Sequence, residues 1–508
     1  MNDRYILAYD LGTGGVKAAL FDTQGKAVDA ETRAYSVQSP QERWAEQNPD
    51  TWYEGFCSIT KEVMERNNIR GAEIAGIGFS GQMMACLPVD KEGNALTDCI
   101  IWADRRSVQQ TEALRERIDE EEYYQITGNK IYPTYPLPKF MWLRENLPEL
   151  YKRTHLFLQP KDYIVFRLTG CFATDFSDAS GTAVLDMKER RWSEKILELA
   201  GIDRDKLPEI RASTDTAGKV SREASRETGI PQGVPVVLGA GDGPCGNLGA
   251  GVFREGSAYI YLGTSSWVSS TGKKLVCDPE KVLFNICSVD PSMINVYGTM
   301  QMGGGSFLWL RDTICALERH RASESQGSAY EYMTEEAATS PPGSNNLLFL
   351  PYLRGERSPR WNPGAKGAFL GLTANHTRGD LIRSVMEGVA YNLKIIRDAM
   401  HRENMDITQM RVTGGGAESS LWRQIFADVF NERIHVSRLR EGANPLGAAI
   451  IAGVGLGIFD DFSVIEKLNP ITGVQEPNGD RTIGERYGFL YERFNEAYTL
   501  LLPLFEKL

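Results

Sequence analysis

Short apolar runs that end in glycine alternate with longer stretches whose apolar residues recur at helical spacing, the pattern of layered α/β folds. The run Tyr5–Tyr9 reaches Asp10-Leu11-Gly12-Thr13-Gly14-Gly15 and leaves as Val16–Phe21, which predicts a tight β-hairpin. A turn at 25–27 leads into β-type sequence to about Val37, and Asn48 can cap a helix with Pro49 at its first position, running to about Asn67. Ile74–Ser80 reads as a short buried strand ending at Gly81-Gln82-Met83-Met84, and Val234–Gly241 as an apolar strand breaking into glycine before Asp242. Thr377 and Asp380 form an acidic capping box for a helix with Leu381, Val385, Val389, Leu393 and Ile396 on one core-facing stripe. Segment 318–345 is polar and rich in Ser and Glu, which predicts a surface excursion.

A second run of the hairpin design, Ser257–Leu262 into Gly263-Thr264-Ser265 and out through Ser266-Trp267-Val268, occurs in the other half. In both, glycine permits positive φ and close approach of backbone N–H groups to an anion. Two phosphate-type hairpins suggest a duplicated domain closing over one nucleotide, a layout that resembles the sugar kinase, Hsp70 and actin superfamily. The boundary is placed just after Asp242, giving domains 1–246 and 247–508. The small residues at 243–251 suit either close packing or a hinge, and 442–447 is a second candidate hinge.

With 508 residues the chain is too long for one core. A net charge of −11 argues against a nucleic-acid or anionic-membrane partner, and no apolar stretch predicts a membrane span or signal peptide. Eight scattered cysteines without a Cys-x-x-Cys pair argue against a disulfide framework or zinc site and fit a reducing cytoplasm. Five histidines show no metal-ligand spacing.

Asp242, framed by Gly239, Gly241 and Gly243, is the candidate base. A carboxylate at the end of a buried strand can accept the proton of an attacking alcohol in phosphoryl transfer. Read alone it is an Asx-turn residue; its place between the two hairpins favours catalysis. Asp10 is a hard oxygen suited to Mg²⁺ or its water shell, with Thr13 a hydroxyl donor and Lys17 a point charge. Gly414-Gly415-Gly416 before a helix carrying Leu421, Ile425, Phe426 and Val429 can approach a base or phosphate. Gly303-Gly304-Gly305 before Ser306–Leu310 fits that role or tight helix packing equally.

These motifs, with Trp44–Pro49, Lys139–Asn146, Gly355-Glu356-Arg357-Ser358-Pro359, Met386–Ala390 and Leu446–Ala449, resemble the FGGY family of carbohydrate kinases, and within it the xylulokinase branch, over nearly the whole chain. The resemblance implies two ribonuclease H-like α/β domains with a cleft between them. It also implies Mg²⁺ with ATP as co-substrate and transfer to a ketose, D-xylulose at O5 first, with another pentulose, a hexulose, a polyol or gluconate as alternatives. It assigns Asp242 as base, and Asp10 and Asp242 to the metal. Gly12, Thr13, Gly14, Lys17, Thr264, Gly304, Gly415, Gly416 and Ser420 fall on the nucleotide, and Gln82, Met83, Met84, Trp102, Asp104 and Asp242 on the sugar. Sugar and ATP are the partners implied, with a homodimer the candidate assembly. The branch reads Gln-Met-His-Gly in the sugar loop where this chain has Gln82-Met83-Met84-Ala85, which puts the sugar's identity in question. A non-catalytic sugar sensor or an Hsp70-like ATPase remains the reading from another class.

Overall fold

Tyr5–Leu11 (β1) and Gly15–Asp22 (β2) pair antiparallel with Asp10 opposite Lys17, and Ala27–Ala34 (β3) continues the antiparallel run. The computed structural model describes residues 4–325 and 327–508. After the helix Pro49–Arg66 (α1), whose first turn is capped by the Asn48 side chain, Ile74–Gly81 (β4) lies parallel to β1 on its other side. Thr216–Lys219 (β5) and Pro235–Val237 (β6) complete the sheet in the order β5-β6-β4-β1-β2-β3, with Ala240–Gly241 (β7) also beside β4. The single strand expected over 234–241 is therefore two. Gly239, at φ 74°, breaks it so closely against β4 that a Cβ would sit 2.0 Å from the Phe79 carbonyl oxygen. Asp242–Gly249 (α2) starts at once from β7.

The second sheet repeats this plan. Ser257–Leu262 (β8), Ser266–Gly272 (β9), Phe284–Cys287 (β10) and Ile294–Met300 (β11) are followed by the helices Gly304–Thr313 (α3) and Arg378–Arg402 (α4). Then come Gln409–Thr413 (β12), helix Ser420–Phe430 (α5), Ile434–Ser437 (β13), helix Ala443–Gly455 (α6) and Ile471–Gln475 (β14). The order is β10-β11-β9-β8-β12-β13-β14, with β8–β9 and β9–β11 antiparallel, β8–β12–β13 parallel and β14 antiparallel. Strand for strand, β11-β9-β8-β12-β13-β14 matches β3-β2-β1-β4-β6-β5. The duplication suggested by two hairpin tips is a duplication of whole sheets.

One helix from the second half of the chain reaches back to the first sheet. Helix α6 returns to pack on the first sheet, burying Leu446, Ile450 and Ile451 with Ile6, Ala8, Val237 and Leu248. It crosses α2 at glycines: a Cβ on Gly249 would lie 1.9 Å from the Ala443 carbonyl, and one on Gly447 2.1 Å from that of Cys245. At Gly249 and Gly447 the absence of a side chain lets the two helices cross closely, whereas Gly442 has open space around it.

Helix α4 carries the expected capping box between Thr377 and Asp380. It is buried almost all round, with Ile382, Val385, Met386, Val389, Leu393 and Ile396 inside, which is more than a single stripe. Segment 318–345 is largely helical: Ala316–Glu324 and Ala329–Ala338, the latter capped by Ser328 and Glu331 and burying Met333 and Ala337. All eight cysteines are free thiols, five of them buried. No helix among the described residues is long and apolar enough to cross a membrane.

Candidate active site

Strand register brings the first carboxylates together. Asp10 on β1 and Ala240 on β7 flank Ser80 of β4, so Asp10 and Asp242 emerge at neighbouring strand ends. The Ser80 hydroxyl donates to Asp10 Oδ1 at 2.7 Å and the Asn444 amide, from the start of α6, to Oδ2 at 3.3 Å. Burial raises the proton affinity of Asp10 above the usual carboxylate range despite these donors and Lys17. Asp242 is pushed up to about 7, by burial first and then by the negative charge of Asp10. Its Oδ1 accepts from the Gly243 N–H at 2.8 Å, and it occupies the first turn of α2.

Among the described residues neither carboxylate forms an ion pair, so two half-buried acids stand close to each other without a salt-bridge partner. Hard oxygens in that state suit Mg²⁺, which is typically held by one or two carboxylates together with substrate phosphates. The described residues hold no cluster of three or more His, Cys, Asp or Glu side chains that would cage a metal alone.

The first hairpin tip turns without left-handed glycine, contrary to the expectation. Gly12, Gly14 and Gly15 have ordinary φ, and the Gly12 N–H closes the turn on the Gly15 carbonyl at 3.0 Å. The need for glycine is steric: a Cβ on Gly15 would lie 2.6 Å from the Arg33 carbonyl, whereas Gly14 is open and exposed. Thr13 is held from both sides. The Trp102 indole N–H donates to its hydroxyl at 2.8 Å, that hydroxyl donates to Gln82 Oε1 at 3.3 Å, and Gln47 donates to its carbonyl at 2.7 Å. Gln82 in turn donates to Gln47 Oε1 at 2.7 Å.

The second hairpin is latched to two of the glycine clusters. Gly303 and Gly305 donate to the Thr264 carbonyl at 3.0 and 2.9 Å, and Gly304 to that of Gly263 at 2.8 Å. Gly414, at φ 89°, approaches the Leu262 carbonyl so closely that a Cβ would lie 2.6 Å away, and Gly416 packs on Leu262 and Trp422. Thr264, Gly415 and Ser420 are exposed around this cluster. The structure thus brings Thr264, Gly304, Gly415 and Gly416 to one end of the second sheet, and Asp10, Thr13, Gln82, Trp102 and Asp242 to one end of the first.

Met83 is buried with Phe284, Ile286 and Tyr297, and its sulfur fills the space beside Gly241. Met84 is half-buried and left-handed at φ 61°, and its carbonyl accepts from the Lys139 ammonium at 2.8 Å. That ammonium also donates to the Ile101 carbonyl at 2.8 Å, joining the Met84 loop to the Trp102 loop; burial lowers its pKa to about 8. Asp104 is fully buried, its carboxylate accepting from Arg106 Nε at 3.0 Å, Arg106 Nη2 at 2.7 Å and the Ala45 N–H at 2.6 Å. In this arrangement both its oxygens brace the loop that carries Trp102.

Sequence reasoning left Gln47, Ser80, Asn444 and Lys139 without a role. Gln47 and Lys139 lie in motifs that carried the family resemblance, whereas Ser80 and Asn444 gave no local signal.

With this geometry in place, the comparisons are decisive. Residues 5–249 match the FGGY family of carbohydrate kinases, N-terminal domain, and 258–456 its C-terminal domain. The chain belongs to the FGGY family of carbohydrate kinases. It is 32% identical to gluconokinase of Bacillus subtilis over 99% of this chain and 94% of the relative. It is also 32% identical to xylulose kinase of Lactococcus lactis, over 91% and 90%. The ligand-bound xylulose kinase of Lactobacillus acidophilus superposes with a TM-score of 0.91 at 28% identity, covering 99% of both chains. As an FGGY kinase it is a phosphotransferase that takes a carbohydrate and ATP.

Proposed function

We propose that this FGGY kinase moves the γ-phosphoryl group of ATP onto a terminal hydroxyl of an open-chain sugar, with Asp242 as general base. The observation that carries this reading is the place of Asp242, half-buried where β7 turns into α2 beside Asp10, with its pKa raised to about 7. A carboxylate so tuned can take the alcohol proton at neutral pH as the oxygen attacks phosphorus. The new bond is O–P, the bond broken joins the γ-phosphorus to the bridging oxygen, and ADP leaves with the electron pair.

Thr13, Gly12, Gly14 and Lys17 on one side, with Thr264, Gly304, Gly415, Gly416 and Ser420 on the other, would hold the nucleotide. Asp10 and Asp242 would hold Mg²⁺, which when bound supplies charge neutralisation of the phosphates. Gln82, Met83, Met84 and Trp102 would line the acceptor side, with Asp104 bracing it. Domains 1–246 and 247–508 would close on the substrates and exclude water. Free thiols and ATP dependence support a cytoplasmic setting.

D-Xylulose, giving D-xylulose 5-phosphate, is the neutral-ketose reading, supported by the xylulose kinase relatives. Gluconate is the second, supported by the gluconokinase relative. Coupled ADP release over ketoses, polyols and aldonates, with and without Mg²⁺, tests the proposal. Acceptor-dependent and Mg²⁺-dependent ADP release is expected; none with any acceptor would overturn it.

A further inference from the structure

A cavity of about 190 Å³ lies against Trp102, lined also by Arg105, Thr134, Arg354, Glu356 and Arg357. It is smaller than the ~300–1,000 Å³ clefts that take drug-sized ligands, and suits a small polar molecule. Trp102 ties it to the site: the indole N–H donates to the Thr13 hydroxyl, which donates on to the acceptor-side Gln82, and the Arg357 guanidinium lies 6.0 Å from the indole ring centroid.

The cavity is polar but incompletely satisfied. Arg357 Nε and the Thr134 hydroxyl are buried without a hydrogen-bond partner. Among the described residues none of the three arginines is ion-paired, and the contact of Arg105 with the Tyr132 hydroxyl is a long 3.5 Å. Glu356 is the lining's one carboxylate, and it is turned to the protein, accepting from the N–H groups of Gln301 and Arg357 and from the Asn392 amide at 2.6, 2.8 and 2.8 Å. Three guanidiniums against that one carboxylate leave an excess of two positive charges, and of three when Glu356 is protonated, as burial favours by raising its pKa to about 8. In a protein of net charge −11 this is a local inversion of sign. Buried donors without acceptors are costly, and planar guanidinium forks match a carboxylate.

We infer that the acceptor of this kinase is an aldonate, a sugar acid whose carboxylate is received by Arg105, Arg354 and Arg357 while its far terminal hydroxyl is presented to Asp242. The inference rests on the phosphoryl-transfer reading above and names the substrate class of that site. A neutral ketose would leave the arginines facing the sugar without a counter-charge, and a site built to pair a group rejects analogues that lack it.

The test compares D-gluconate with D-glucitol, the same carbon chain lacking the acid, and with D-xylulose and D-fructose. Turnover is read by ADP release and binding by calorimetry, in the wild type, Arg354→Gln and Arg105→Gln. Arg354 is exposed and Arg105 half-buried, so both variants should fold, which their melting temperatures check. Gluconate is expected to exceed glucitol in kcat/KM by ten-fold or more. Each variant should weaken gluconate binding about 10- to 150-fold, the range of a hydrogen bond to a charged group, with ketose binding unchanged. Turnover of ketoses with no binding of aldonates would overturn the inference and leave the kinase reading standing. Arginine-dependent gluconate binding without phosphorylation would overturn the phosphoryl-transfer reading, and the acceptor role with it, leaving only a carboxylate site at the arginines. A rise confined to the KM for ATP would reassign the arginines to nucleotide phosphates and overturn it as well.

Discussion

Asp10 pairs with Ser80 on one side and Asp242 follows two residues after Ala240 on the other, and the charge of Asp10 adds to burial in raising the pKa of Asp242 to about 7. The base is therefore protonated in acid and competent only above that range. We expect kcat/KM, which reports the free enzyme, to rise about ten-fold per pH unit and level off above pH 7. Asp10→Asn removes the neighbouring charge and should move this limb to lower pH, whatever its effect on the plateau. A pH–rate profile with no inflection between pH 5 and 8 would contradict the assignment.

The same shift bears on stability. The folded pKa of Asp242 lies above its ordinary 3.8, so the folded state binds this proton more tightly than the unfolded one. Stability tied to the group is full below pH 3.8 and is lost as pH rises towards 7. Asp242→Asn keeps an acceptor for the Gly243 N–H but carries no charge. It should lower kcat by ~10²–10⁴-fold while raising Tm at pH 7.5. A variant with more than half of wild-type kcat would remove Asp242 from the chemistry.

The duplication was legible because glycine and threonine interrupt two apolar runs in the same way, and Asp10, Thr13 and Asp242 stand out as polar residues at the ends of such runs. The placement of β4 between β1 and β6 was not, since parallel pairing joins segments far apart in sequence. Asn444 reaches Asp10 across 434 residues, and no local pattern foretells that contact. The sequence predicts left-handed backbone at the first tip, but at Gly15 the crowding of the Arg33 carbonyl decides, and crowding is invisible before β3 is placed. Arg105, Arg354 and Arg357 are isolated cations in sequence; only folding gathers them on one cavity.

Asp10→Ala should weaken use of Mg-ATP far more than acceptor binding. Its carboxylate is held by Ser80 and Asn444 beside the phosphate hairpin rather than by the Met84 loop. Calorimetry in which Mg-ATP affinity and turnover survive the change would rule out the metal role.

Lys139 fastens the Met84 and Ile101 carbonyls with one buried ammonium whose pKa is lowered to about 8. Above that pH the two acceptor-side loops lose a charged clasp, so acceptor KM should rise while KM for ATP stays level. Unfolding would not explain the rise. The folded pKa lies below the ordinary 10.5, and deprotonation between the two values favours the folded state. Lys139→Met should show the raised acceptor KM at all pH values and abolish the alkaline limb. A variant that keeps that limb would place its origin elsewhere.

Met84 stands where xylulokinases carry histidine. Its backbone is left-handed at φ 61°, a region that His tolerates better than most side chains, so Met84→His should fold without added strain. The thioether is half-buried near Phe284 and Tyr297 and offers no strong hydrogen bond. An imidazole there could reach a sugar hydroxyl. A gained hydrogen bond of ~0.5–1.5 kcal/mol corresponds to a change of about 2- to 12-fold. We expect kcat/KM for D-xylulose to rise by that factor relative to D-gluconate, because the carboxylate contacts lie on the arginine-lined wall and are untouched. KM for ATP should not change, since Thr264, Gly415 and Gly416 belong to the other sheet. Parallel ADP-release kinetics on the two acceptors decide the matter. If their ratio is unaltered, Met84 acts only in packing against its aromatic neighbours, and discrimination between ketose and aldonate rests with the arginines alone.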